Sequence, residues 1–163
     1  MFENISCPSP NCTRYDFQST RPTLSVNYKT LINKGFGNLQ DALTFSGTYE
    51  RFCTNCQEKT QICEQVLNAY IYIELDIKLS NDDEGMECRL RDFPTFLTIE
   101  QNEAMKLCYR LCGAIGFHSF HYIAYCRRLS GEWRFYNDSL KESKAINSYS
   151  KILPHGVLYL LNN

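Results

Sequence analysis

Two short cysteine pairs constrain this chain more than any other feature. Cys53-Thr-Asn-Cys56 is a two-residue knuckle, and Cys7-Pro-Ser-Pro-Asn-Cys12 is a longer loop with four residues between its thiols. Zinc takes four thiolate or imidazole ligands in a tetrahedron, usually from two loops that each present a pair at such spacing. Two such loops separated by strands make a zinc ribbon, so Cys7, Cys12, Cys53 and Cys56 are the expected ligands of a structural Zn2+. Two other readings compete. One is chance clustering of surface thiols in a nine-cysteine chain; the other is a redox-active CxxC, which wants a βαβ context that the residues around Cys53 do not offer. The other five, Cys63, Cys88, Cys108, Cys112 and Cys126, are scattered among apolar residues and read as small buried hydrophobes.

The compartment follows from the same count. No apolar run is long enough to span a bilayer, and the N-terminal "MFENISCPSP" lacks the basic start and apolar stretch of a signal peptide. The expected location is therefore intracellular, cytoplasmic or nuclear, where an odd and high cysteine count fits metal ligation or catalysis better than disulfides. Seventeen Lys plus Arg against eighteen Asp plus Glu leave a net charge of −1, so nucleic acid and anionic membranes are not expected partners. With 44% hydrophobic residues over 163 positions the chain can bury one core, and a single domain is the default.

Periodicity predicts mostly strands. "RPTLSVNY" alternates Leu24, Val26 and Tyr28 with polar residues, and "NLQDALTF" places Leu39, Ala42 and Leu43 at helical spacing. "LNAYIYIELDIKL" is the clearest strand: Ala69, Ile71, Ile73, Leu75 and Ile77 share one face, with Tyr70, Tyr72, Glu74 and Asp76 on the other. Its position should be central or nearly so. "SNDDEGMEC" is a polar connector, "RLRDFPTFLTI" a short edge segment interrupted by Pro94, and "EQNEAMKLCYRLCGAIGF" is expected to begin helical before becoming extended. "GVLYLL" closes the chain as one more apolar strand. The expected class is α+β, mainly antiparallel β with one or two short helices.

"HYIAYCRR" and "EWRFYND" read as a hairpin joined by "LSG". Register decides its chemistry, because side chains alternate faces along each strand. A two-residue Ser130-Gly131 loop would put His121 and Asn137 on opposite faces. A three-residue loop, Leu129-Ser130-Gly131 with Gly131 left-handed, would pair 128 with 132 and set Asn137 opposite Ile123. His121 is then a diagonal neighbour of Asn137, roughly 7–8 Å away between backbones. In that arrangement the Asn oxygen can accept from one ring nitrogen and leave the other to act as a base.

The hairpin and its surroundings resemble the C-terminal His box of the ubiquitin-specific proteases. There, a Y-x-L-x-x-V run leads into G-H-Y-x-x-Y and a W-x-x-F-[ND]-D strand; here those features stand as Tyr109, Leu111 and Ala114, then His121, Tyr122 and Tyr125, then Trp133 and Tyr136-Asn137-Asp138-Ser139. Upstream, the cysteine pairs resemble the family's zinc-ribbon fingers, "LNAYIYIELDI" its L-P-x-x-L-x-I-x-L strand, and "DFP" a later F-P strand. The resemblance implies a papain-like cysteine protease domain, with residues 1–66 as fingers and 67–163 as palm. It also implies His121 as general base and acid, Asn137 orienting its ring, Asp138 in support, and ubiquitin or a ubiquitinated protein as partner.

Three departures bear on activity. The family's nucleophile lies in a G-N-T-C-Y-x-N-like box ahead of the fingers, and nothing in these residues matches it; "PNCTRYDF" around Cys12 is a superficial echo. The Gly that precedes the family's His is Phe120, and "FHS" runs almost directly into "FHY", so the intervening loop is nearly absent. The expectation is fingers and palm without the thumb, inactive alone because an imidazole with no thiol to deprotonate cannot start acyl transfer. A polypeptide supplying the thumb is a candidate partner. The alternatives are a pseudo-deubiquitinase that grips ubiquitin or another protein without turnover, and an unrelated zinc-ribbon adaptor.

Overall fold

The computed structural model describes residues 1–10, 12, 16–20, 23–57, 60–75, 77, 85–102, 104–118 and 120–162. In chain order the elements are β1 (Phe2–Ser6), β2 (Asp16–Thr20), β3 (Thr23–Leu24), helix α1 (Tyr28–Lys34), a 3-10 turn (Phe36–Asn38), α2 (Leu39–Ala42), β4 (Thr48–Phe52), β5 (Thr60–Val66), β6 (Tyr70–Glu74) and β7 (Cys88–Arg89). A second 3-10 turn (Leu90–Asp92) leads to β8 (Phe96–Asn102), β9 (Met105–His118), β10 (His121–Arg127), β11 (Trp133–Tyr136), β12 (Lys144–Ile146), β13 (Lys151–Ile152) and β14 (Pro154–Leu161). No helix among the described residues is long and apolar enough to cross a membrane.

Two sheets carry the architecture. The smaller runs β2-β1-β5-β4; the larger runs β12-β11-β10-β9-β14-β6-β3, with β8 hairpinned onto β9, and β7 and β13 form a separate pair. Among the described strands pairing is antiparallel except between β3 and β6. The clear alternation in "YIYIE" produces β6, whose Ile71 and Ile73, continued by Leu75 and Ile77, are buried while Tyr70 and Glu74 are exposed. It lies one place in from the edge, between β14 and the two-residue β3. Ala69, expected on the core face, is exposed at the strand's entrance; Asp76 and most of the polar connector fall outside the described residues.

Two expectations are corrected. The segment expected to begin helical is instead the β8–β9 hairpin, and β9 is a fourteen-residue strand. Ala104, Met105 and Lys106 are good helix formers, but propensity is a weak determinant, and pairing of β9 with β8, β10 and β14 overrides it. The alternation in "RPTLSVNY" ends earlier than expected. Leu24 and Val26 are buried, but the Asn27 side chain then accepts from the Thr30 backbone N–H at 3.4 Å and starts α1, in which Tyr28 is largely exposed. Gly35, at φ +80°, lets the chain leave that helix.

The large sheet packs one face against α1, α2 and the loops in a continuous core in which Leu31, Leu39, Ile73, Leu90, Leu97, Val157 and Tyr159 are fully buried. The two deepest tyrosines keep their hydroxyls satisfied, Tyr109 donating to Asn68 O at 2.6 Å and Tyr159 to Pro94 O at 2.8 Å. Gln40 from α2 acts as a surrogate strand: its amide accepts from Thr98 N at 2.7 Å and donates to Thr98 O at 2.8 Å, covering part of the β8 edge. Cys63 and Cys88 are buried as expected for small hydrophobes, whereas Cys108, Cys112 and Cys126 are only half-buried.

Candidate metal centre and histidine hairpin

Cys7 follows β1, Cys53 follows β4, and the β1–β5–β4 pairing brings the ends of these strands together. In the knuckle after β4, Gln57 donates its backbone N–H to Cys53 O at 3.0 Å and takes φ +55°, while in the other loop Cys12 N donates to Ser9 O at 3.1 Å. The result is a cluster. The four sulfurs of Cys7, Cys12, Cys53 and Cys56 all lie within 4.8 Å of one another.

The cluster's dimensions fit a tetrahedral ion. Cys7 and Cys56 sulfurs are 3.7 Å apart, and so are those of Cys12 and Cys53. Four sulfurs each about 2.3 Å from a central Zn2+ have edges of about 3.8 Å. Backbone N–H groups of Cys56 and then Asn55, working against burial, pull the Cys53 thiol down to about 6. At Cys7 the Ser9 backbone N–H pulls down, but burial and the neighbouring thiols of Cys12, Cys56 and Cys53 push the thiol up to about 12. Asn55, which the spacing alone did not single out, donates its amide to Cys12 Sγ at 3.4 Å. It stands between the two cysteines of the knuckle, where a side chain reaching the sulfurs is to be expected.

The second candidate is the β10–β11 hairpin. Arg127 pairs with Trp133 and Ala124 with Tyr136; Arg128 N donates to Glu132 O at 2.8 Å and Gly131 N to Arg128 O at 2.9 Å. Gly131 has φ +88°. The loop is therefore the three-residue form, and continuing its register aligns Asn137 with Ile123. His121 lies two residues beyond Ile123 on the same face, half-buried, with its Nε2 shielded from solvent. Asn137 Oδ1 accepts from Ser139 N at 2.9 Å, and its carbonyl accepts from Leu140 N at 3.0 Å, so the residue starts a turn just past the strand. A carboxamide oxygen has a second lone pair for another donor. Asp138 is exposed, and its Oδ1 accepts from Ser139 Oγ at 3.4 Å.

His121 also pairs with His118 across the β9–β10 turn, and Phe120 in that turn is 97% exposed at φ +67°. That left-handed backbone suits glycine and strains a bulky side chain. On the outer face of the same hairpin Tyr122 packs between Phe117, ring centroids 5.2 Å apart, and His155 at 4.9 Å.

No protein-family model matches the chain, and no curated protein matches it in sequence. Solved structures do. A chain of the SAGA Ubp8/Sgf11/Sus1/Sgf73 DUB module superposes with a TM-score of 0.55 at 17% identity, over 99% of this chain and 37% of that one. The same module bound to monoubiquitin gives 0.53 at 17% identity, over 99% and 40%. A yeast SAGA DUB module carrying an Sgf73 variant gives 0.50 at 16% identity, over 99% and 40%. The fold is ubiquitin-specific-protease-like. This chain spans roughly two-fifths of the length of those solved chains.

Proposed function

We propose that these residues form the fingers and palm of a ubiquitin-specific protease domain, residues 1–66 and 67–163 respectively. In this reading the domain takes ubiquitin or a ubiquitinated protein as partner, and Cys7, Cys12, Cys53 and Cys56 hold a structural Zn2+. Four protein thiolates close the ion's shell, so it fixes the fold and takes no part in the reaction. His121 is the general base and acid, Asn137 orients its imidazole, and the adjacent Asp138 lends secondary support. The thiol comes from a polypeptide outside these 163 residues. His121 would take that thiol's proton as the sulfur attacks the isopeptide carbonyl, then return it to the departing lysine amine. The observation that supports this reading is the three-residue hairpin register, Ala124 with Tyr136, whose continuation would set Asn137 opposite Ile123 and diagonal to His121.

A second reading, ubiquitin binding without turnover, is favoured by Phe120. The residue before His121 occupies backbone suited to glycine and projects a fully exposed aromatic ring. One experiment separates the two. A ubiquitin bearing a C-terminal electrophile is incubated with this chain, with and without a polypeptide carrying a G-N-T-C-Y-like box. The first reading predicts no covalent adduct with the chain alone and a His121-dependent adduct once the second polypeptide is added. No adduct in either case, with ubiquitin still bound, supports the second reading. Capture at a cysteine of the isolated chain, or no ubiquitin binding at all, contradicts both.

A further inference from the structure

β9 carries an irregularity that no part of the proposed function uses. Against β14, Gly113 pairs with Leu158 and Leu111 with Tyr159, so Cys112 is an extra residue in the ladder. Leu111 and Ala114 are both in the buried core, at 1% and 3% exposure, which turns the half-buried Cys112 to the outer face. At the same place β9 lies tight against β10: a Cβ added to Gly113 would lie 2.6 Å from Tyr125 O and 3.5 Å from Cys126 Cα. Cys126 is the pairing partner of Gly113, and it alternates with the buried Ile123 and Tyr125, so it too faces outward. Burial pushes the Cys126 thiol up, and the charge of a Cys112 thiolate adds to that push.

Neighbouring strands lie about 4.8 Å apart, and disulfides bridge Cα atoms roughly 4.4–6.8 Å apart. Cα atoms on adjacent strands, one residue out of direct pairing, are about 6 Å apart, inside that range. We propose that Cys112 and Cys126 are a cross-strand dithiol that a peroxide closes to a disulfide and a thiol reductant reopens. One thiolate attacks hydrogen peroxide and becomes a sulfenic acid, releasing hydroxide, which takes up the proton that thiol gave. The second thiol displaces water from the sulfenic sulfur. Two thiols and one peroxide thus become one disulfide and two waters. The bond ties β9 to β10 around residues 113–125, the segment that contains His121, and the inference does not depend on the function proposed above.

The sequence makes the test direct. No Lys or Arg falls between Arg110 and Arg127, so trypsin releases residues 111–127 as one peptide containing Cys112, Cys126 and no other cysteine. The reduced, metal-loaded chain is treated with hydrogen peroxide, alkylated under denaturing conditions, digested and weighed. The expected result is a peptide that has lost two hydrogens and takes no alkyl group, with both alkylation sites returning after reductant. In Cys112→Ala or Cys126→Ala the remaining thiol should keep its alkyl group at the same peroxide dose. The inference is overturned if the wild-type peptide keeps both alkyl groups while other cysteines oxidise. It is also overturned if each thiol is oxidised as readily without its neighbour. Should a variant fold poorly, the wild-type mass alone decides.

Discussion

The two sheets are held together by different physics. In the large sheet, a continuous cluster running from Leu24 to Tyr159 is buried with hardly a polar group in it. In the small sheet the buried residues, among the described ones, are few and mixed: Ile5 and Cys63, the polar pair Glu3 and Gln65, and beyond the strand ends a cluster made of cysteines alone. The Glu3 carboxylate accepts from Tyr49 Oη at 2.7 Å and from Gln65 Nε2 at 3.0 Å, a network that fixes geometry while burying little apolar surface. A sheet with so small an apolar core needs a further tie, and four converging sulfurs are placed to provide it. One region folds by excluding water; the other, if the four sulfurs hold the proposed Zn2+, depends on its metal.

That contrast can be broken most forcefully at the metal. Chelator, or Cys53→Ser, should remove the ion and unfold the small sheet, because structural zinc contributes on the order of 10 kcal/mol in isolated zinc modules. Hydrogen exchange should show protection lost across β1, β4 and β5 and kept in β6, β9 and β14; uniform loss, or no change in melting, would count against the division. In the large sheet, Ile73→Ala removes a fully buried side chain and should cost about 2–5 kcal/mol by urea denaturation. That loss should be the same with and without chelator if the two regions are energetically separate. Tyr49→Phe takes one donor from the buried Glu3 and should cost about 1–3 kcal/mol. The smallest effect is a gain. Phe120→Gly relieves about 1–2 kcal/mol of left-handed strain against about 0.5–1 kcal/mol of added chain entropy. A net rise in urea stability of at most about 1.5 kcal/mol is expected, and a loss would mean that the exposed ring makes contacts of its own.

The regions also differed in how far the sequence could be read. Spacing alone grouped Cys7, Cys12, Cys53 and Cys56, because metal geometry restricts the loops that can present two ligands. β6 was legible because its buried and exposed residues alternate without interruption. β9 was not, since Glu, Ala, Met and Lys at its start favour helix and only partners distant in sequence make it a strand. Helix α1 was hidden by an alternation that carries on into Asn27, whose capping role depends on a backbone turn rather than on hydrophobic pattern. At the hairpin, two loop lengths were compatible with "LSG", and only the backbone pairing selects between them. The turn that Asn137 begins with Ser139, and the bulge at Cys112, leave no mark in a pattern of apolar and polar residues.

If Asn137 holds the imidazole of His121, as proposed above, the nitrogen-15 resonances of the His121 ring will report it. One dominant tautomer is predicted in the wild type, giving way to a mixture in Asn137→Ala while the fold is retained. The same ring-nitrogen shifts in both proteins would contradict the account.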